Sequence, residues 1–296
     1  MSQSKVTIWS AVFAAGGALA FKFLPGRWAV AGAGVLSLLA LHELTGRPIP
    51  FLRWSFIRLI LALPKLLKGD WQVGDGREEA CLKHVQQTVP RGDPDAVLKA
   101  IDHFAYQSSF LINVGDVKGK ILDEIVRKKN PMVAVELGSY IGYSAVLIAR
   151  RLPDEGHLFC IEVFKPNAEI VKKMVAHAGL ADKVTVVTGA IGDDGETVSR
   201  LINDHGFKPG YVDLCFIDHD KNHYLADLRR MMQQKWFKEG SVVVADNMVF
   251  PGAPEYAAYM KSADGIEHWE SKEHDSFVEY QSLMKDKMLV STYVKK

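Results

Sequence analysis

Residues 135–145 read VELGSYIGYSA, and this stretch decides the fold. It closes the run MVAVEL (132–137), which is apolar apart from Glu136 and has the length of a buried strand. Gly138 and Gly142 bracket a turn, and from Gly142 to Arg151 the spacing becomes helical. Glycine suits such a turn because it enters left-handed backbone space without a Cβ penalty. The stretch therefore predicts a buried strand that ends beside a carboxylate and turns sharply into a helix.

The same unit repeats downstream. Strand-length apolar runs follow at HLFCIE (157–162), KVTVVTG (183–189), VDLCFID (212–218) and SVVVAD (241–246). Helical spacing separates them at 142–151, 167–178, 194–205 and 221–234. Two helices precede the first strand, at 95–107 and 118–129, the second stopped by Asn130–Pro131. VGDGREE (73–79) and VPRGDPD (89–95) read as linkers. In the tail, SFVEYQSLM (276–284) and KMLVSTYVK (287–295) read as a closing pair of strands, with antiparallel pairing allowed. Near-continuous apolar strands alternating with helices require a parallel sheet covered on both faces. The expected fold class is α/β: a doubly wound, mostly parallel, seven-stranded sheet over residues 73–296.

Composition narrows the function. The 296 residues carry a formal net charge of +1, which argues against a whole-chain nucleic-acid footprint. Cys81, Cys160 and Cys215 lie far apart with no C-x-x-C pair, so they read as free thiols of a reducing compartment. The N-terminus differs in character. Val6–Phe21 carries no charge, and a second apolar run extends from Trp28 to Leu41. With Gly16, Gly17, Gly32 and Gly34 in these runs, residues 1–50 are expected to form a transmembrane anchor of one or two helices. A cleaved signal peptide fits less well, because the apolar character resumes after Arg27. Residues 51–72 alternate Arg53, Arg58, Lys65 and Lys68 with bulky apolar side chains, as a basic amphipathic helix on a lipid surface does. The positive charges follow the last apolar run, which places the remainder in the cytosol.

In open α/β sheets ligands bind beyond the carboxyl ends of the strands. The informative positions are therefore Glu136–Gly142, Glu162, Gly189–Ala190, Asp218–Lys221 and Asp246–Asn247. The glycine spacing is Gly138-x-x-x-Gly142, with bulky Tyr140 and Ile141 where a pyrophosphate would need a bare backbone. Glu162 follows Gly138 by 24 residues, near the spacing of about 20 at which an acid meets ribose hydroxyls. A ligand with a ribose and no diphosphate fits, and S-adenosylmethionine is one. Asp218, Asp246 and Asn247 close two successive strands. Two carboxylates and an amide oxygen are hard donors, suited to Mg²⁺ or Ca²⁺ rather than zinc, even with His219 and His223 nearby. A divalent cation there would disfavour the Lys221 ammonium, which makes Lys221 a candidate general base. Glu279 alternates with Phe277 and Tyr280 in the expected strand.

These residues resemble a known family. From about residue 80 to 296 the chain resembles catechol O-methyltransferase, a class I S-adenosylmethionine-dependent methyltransferase with a Rossmann-like sheet. The resemblance rests on INVGDVKGKI (112–121), VELGSYIGYSA (135–145), CIE (160–162), DHDKNHYL (218–225), ADNMVFPGAP (245–254) and SFVEY (276–280). It implies Mg²⁺ on Asp218, Asp246 and Asn247, and Lys221 deprotonating one catechol hydroxyl while Glu279 holds the other. It also implies a cofactor site of Val114, Glu136, Gly138, Tyr140, Ser144, Glu162, Ala190 and Asp218, with Pro251 against the substrate ring. The implied catalytic domain is monomeric and its substrate a small catechol or phenol. The family carries Trp where Asp220 stands, Met at Ile112 and Trp at Phe110. The D-x-D-K pattern at 218–221 also resembles caffeoyl-CoA O-methyltransferases, so CoA-linked phenolics are an alternative substrate class. A non-catalytic membrane scaffold is the alternative outside enzymes.

Overall fold

The computed structural model describes residues 75–294, together with Gly34 and Ser37. The chain divides into two units, Met1–Pro64 and Lys65–Lys296, and the description concerns the second. Apart from Gly34 and Ser37, the expected anchor and interfacial helix lie outside the described residues. Among the described residues no helix is long and apolar enough to cross a membrane.

Among the described residues, three helices precede the sheet: α1 (Arg77–Thr88), α2 (Pro94–Gln107) and α3 (Gly115–Lys129). The start of α2 follows from its sequence, since Asp93 caps it by accepting from the Ala96 N–H and Pro94 opens the first turn. The end of α3 does too, with Asn130 in left-handed space ahead of Pro131. In contrast, α1 begins inside the stretch read as a linker. Its first residues, Arg77 and Glu78, are charged yet 1 % exposed. Arg77 bonds Asp75 and the Phe110 carbonyl, and Glu78 accepts from the Tyr140 hydroxyl. Tertiary partners satisfy these charges, so no apolar periodicity announces the helix.

The sheet is built from β1 (Val133–Leu137), β2 (His157–Glu162), β3 (Val184–Thr188), β4 (Val212–Ile217), β5 (Phe237–Ala245), β6 (Trp269–Phe277) and β7 (Lys285–Tyr293). Their order is β3-β2-β1-β4-β5-β7-β6. The first five are parallel, and β7 runs antiparallel to both β5 and β6. The helices α4 (Tyr143–Ala149), α5 (Lys165–His177), α6 (Glu196–Asn203) and α7 (Tyr224–Gln233) connect the parallel strands, and α8 (Pro254–Lys261) and α9 (Ala263–His268) lead into β6. The doubly wound, mostly parallel seven-stranded sheet is as expected.

The closing pair differs in detail. Its first strand is WESKEHDSF, an edge strand whose alternation is hidden by charged residues on its exposed stretch. It ends at Phe277, so Glu279 stands in the β6–β7 turn and not in a strand. Tyr280 sits there at φ 54°, outside strand geometry. Gln281 ties the turn together, accepting from the Leu283 and Met284 N–H groups and donating to the Val278 carbonyl.

Beneath one face, Phe159, Phe207, Trp236 and Tyr256 pack with Val135, Ile217 and Val243 into a continuous apolar core. Burial of this kind contributes about 25 cal/mol per Å² of apolar surface. It fixes the strand ends, and the site residues follow those ends directly.

Candidate active site

Backbone hydrogen bonds stitch the strand tips into one edge. The Gly138 N–H donates to the Ile161 carbonyl at 2.9 Å, Asp218 N–H to Leu137 at 2.9 Å, Asp246 N–H to Ile217 at 3.0 Å and Gly189 N–H to Glu162 at 3.0 Å. The expected residues after β1, β2, β4 and β5 thus share the carboxyl edge of the sheet.

The turn after β1 carries positive φ at Gly138 (84°), Tyr140 (48°) and Gly142 (86°). Glu162 braces it. Its Oε2 accepts from the backbone N–H groups of Ser139 (3.0 Å) and Tyr140 (2.9 Å), and its Oε1 from Phe164 N–H (2.9 Å). A carboxylate offers about four lone-pair sites, so Glu162 shapes the turn with three of them and keeps a fourth. Burial raises its pKa against the pull of those three N–H groups. Glu136 is fully buried, and burial lifts it to about 7. Its Oε2 accepts from the Ser139 hydroxyl (2.7 Å) and the Cys160 thiol (3.1 Å). Ser144, in the first turn of α4, and Val114, just ahead of α3, are both buried. The Tyr140 hydroxyl points away from the turn, to Glu78 at 2.9 Å. Ala190 follows β3, its N–H donating to Asp193 at 3.4 Å, with Ile191 buried behind it.

The oxygen cluster lies beyond β4 and β5. Asp218 is 11 % exposed at its side chain and receives Lys221 Nζ at 2.8 Å. Lys221 Nζ also donates to the Tyr224 hydroxyl at 2.6 Å, which in turn donates to the Asp246 carbonyl at 3.3 Å. Asp246 is fully buried, with Oδ1 2.8 Å from Lys118 Nζ and accepting from the Asn247 N–H at 2.7 Å. Its Oδ2 is buried with no hydrogen-bond partner. Burial lifts the Asp246 carboxyl to about 8 against the pull of Lys118, with Asp218 and Glu279 adding to the rise. Asn247 spends its Nδ2 on Glu279 Oε1 and Asp286 Oδ2, both at 3.1 Å, which turns its amide oxygen the other way.

Three participants carried no signal in the sequence. Lys118 is 1 % exposed and meets Asp246, Glu279 and Asp286 at 2.8, 2.5 and 2.9 Å. Burial works against its ammonium, but those carboxylates and Asp218 outweigh it, so its pKa stands well above the ordinary lysine value. Within the quoted run INVGDVKGKI it reads as a surface helix lysine. Asp286 falls between the two expected closing strands, and Tyr224 lies in the quoted run DHDKNHYL with nothing there to single it out.

Of the positions that depart from the family pattern, Phe110 is buried edge-on to Tyr280, with ring centroids 6.0 Å apart. Asp220 accepts from the Asn222 N–H at 3.1 Å and caps the short turn that carries Lys221.

Among the described residues no group of three or more His, Cys, Asp and Glu side chains is arranged as a metal site. The expected set contains two carboxylates and an amide, so it is not such a group. Its chemistry still fits a hard cation, because a buried carboxylate oxygen without a partner is costly and Asp246 Oδ2 is one.

An acid-braced glycine turn beside an oxygen cluster and a lysine, on a 3-2-1-4-5-7-6 sheet, defines a Rossmann-like methyltransferase. A model of the O-methyltransferase family matches residues 92–264. A probable O-methyltransferase of Mycobacterium tuberculosis is 46 % identical over 223 residues, covering 75 % of this chain and 94 % of that one. Catechol O-methyltransferase of Bos taurus is 36 % identical over 255 residues, covering 86 % and 90 %. The O-methyltransferase from Bacillus cereus, solved with S-adenosylhomocysteine, superposes with a TM-score of 0.54 at 20 % identity, covering 73 % of this chain and 97 % of that one, a likeness of fold. The chain belongs to the O-methyltransferase family and is an S-adenosylmethionine-dependent methyltransferase of the catechol O-methyltransferase type.

Proposed function

We propose that this chain transfers the methyl group of S-adenosylmethionine to one hydroxyl of a catechol-type vicinal dihydroxy aromatic, with Mg²⁺ held by Asp218, Asp246 and Asn247. The observation that carries the reading is the buried, unpartnered Asp246 Oδ2 in a cluster with Asp218, Asn247 and Lys221.

The sulfonium cofactor supplies an already electrophilic methyl group. The chain's task is accordingly to align it with an oxygen nucleophile, where orientation is worth several kcal/mol. Glu162 holds the ribose with its remaining acceptor. Glu136 supports the turn from beneath through Ser139, and with Val114, Gly138, Tyr140, Ser144, Ala190 and the Asp218 backbone it makes up the cofactor site. Bound Mg²⁺ would acidify the diol and set its two oxygens in place. Lys221 Nζ takes the proton of the attacking hydroxyl as the O–CH₃ bond forms and the S–CH₃ bond breaks, then returns it to solvent. Glu279 accepts a hydrogen bond from the hydroxyl that is not methylated, and Pro251 packs on the ring.

We further propose that residues 1–50 anchor the enzyme in a bilayer, that residues 51–72 lie on its cytosolic face, and that residues 73–296 act as a monomer. Alkaline extraction of membranes and removal of residues 1–72 test this, and a truncated chain that stays membrane-bound would count against it.

Incubating the full chain with S-adenosylmethionine, Mg²⁺ and a panel of catechols is expected to give monomethyl ethers. Absence of product from every vicinal diol, with cofactor binding demonstrated by calorimetry, refutes the substrate class.

A further inference from the structure

Asp286 is the second residue of β7 and is 1 % exposed. Its two oxygens accept four hydrogen bonds. Oδ2 receives Lys118 Nζ at 2.9 Å and Asn247 Nδ2 at 3.1 Å. Oδ1 receives the backbone N–H groups of Val249 at 3.0 Å and Phe250 at 3.2 Å. A carboxylate has about four lone-pair sites, so the protein saturates this one and leaves it nothing for a ligand. Of these donors, Lys118 also meets Asp246 and Glu279, and Asn247 also meets Glu279.

The saturation extends outward. An ammonium has three N–H donors, and Lys118 places them on Asp246 Oδ1, Glu279 Oε1 and Asp286 Oδ2. The Asn247 amide nitrogen has two, spent on Glu279 Oε1 and Asp286 Oδ2. Reversing that amide would set its oxygen against two carboxylate oxygens. Glu279 Oε1 is engaged by two donors, which leaves Oε2 as its outward acceptor. Each group thus has a single orientation compatible with its partners.

Building on the O-methyltransferase reading above, we propose that Asp286 is the positioning residue of this site: through Lys118 and the Asn247 amide it turns the amide oxygen of Asn247 toward the cation and fixes which carboxylate oxygen of Glu279 faces the substrate. A role confined to pinning the 249–250 backbone is separable from this one. Asp286→Asn keeps one oxygen for those two N–H groups but presents an NH₂ to Lys118 and Asn247.

The test compares the full-length wild type with Asp286→Asn. S-adenosylhomocysteine affinity is measured by calorimetry, Mn²⁺ affinity in its presence by the electron paramagnetic resonance signal of the free ion, and KM and kcat with a catechol. Substitutions that disturb the groups orienting metal ligands cost roughly 10- to 100-fold in metal affinity. The expected result is a Mn²⁺ loss of that size and a raised KM, with S-adenosylhomocysteine affinity kept within about twofold. Unchanged Mn²⁺ affinity and KM overturn the proposal. Where Asp286→Asn fails to bind S-adenosylhomocysteine, Lys118→Gln removes another leg of the same array and should give the same Mn²⁺ loss. Failure of both variants to bind it also overturns the proposal, since the array would then serve the fold. A wild type that binds Mn²⁺ but methylates no catechol refutes the substrate reading and leaves the Mn²⁺ comparison to decide on Asp286. A wild type that binds no Mn²⁺ overturns both.

Discussion

Gly138 and His219 face each other across the tips of β1 and β4 with no room for a side chain between them. A Cβ on Gly138 would stand 2.8 Å from His219 Cα and 2.8 Å from the Asp218 carbonyl oxygen. The φ of 84° adds a conformational penalty for any other residue, about 1–2 kcal/mol. Gly138→Ala is therefore expected to push the two strand tips apart. S-adenosylhomocysteine calorimetry should show at least about a tenfold weaker complex, since about 1.4 kcal/mol is a factor of ten. Unchanged affinity would mean that the turn does not abut the cofactor.

Lys221 donates to both Asp218 and Tyr224. Removing a general base typically costs about 100- to 10,000-fold in rate. Lys221→Ala should lower kcat by that order while cofactor affinity holds, because Lys221 Nζ bonds the Asp218 carboxylate and the Tyr224 hydroxyl and is not among the residues proposed to make up the cofactor site. Single-turnover methylation measures it, and a loss below about threefold would remove Lys221 from the chemistry.

Asp102 on α2 accepts from the Tyr143 hydroxyl at 3.3 Å and the Tyr280 hydroxyl at 3.2 Å. Burial lifts it to about 7, Asp116 adds to the rise, and the two tyrosines and Lys120 oppose it. The buried Cys81 thiol also faces it. A carboxyl raised from 3.8 to about 7 holds a proton in the folded state that the unfolded chain has released. Its contribution to stability is full below about pH 4 and is lost as pH rises toward 7. Asp102→Asn should therefore flatten the pH dependence of Tm across this window and raise Tm above wild type near pH 8. Parallel slopes in the two melting series would disprove the shift.

Trp236 is 1 % exposed and meets Phe207 edge-on, with ring centroids 4.9 Å apart. Emptying such a site costs about 3–5 kcal/mol. Trp236→Ala should lower the urea midpoint accordingly, and S-adenosylhomocysteine affinity of the protein that remains folded should be unchanged. A small shift would mean that the core closes over the gap.

Buried strands and a glycine turn are local properties, and the chain states them openly. The run HLFCIE became β2 with the same bounds, because a strand covered on both faces must be apolar throughout. Gly138, Glu162, Asp218, Asp246 and Asn247 were legible because strand ends in a parallel sheet converge on one edge. Only tertiary structure decided the rest. It showed Arg77 and Glu78 opening a helix, and Glu279 leaving the strand for a turn. It also placed Lys118 and Asp286, 168 residues apart in sequence, as partners in one buried ion cluster. Charged residues have no periodicity of their own: whether a lysine faces water or three carboxylates depends on which distant segments the packed core brings around it.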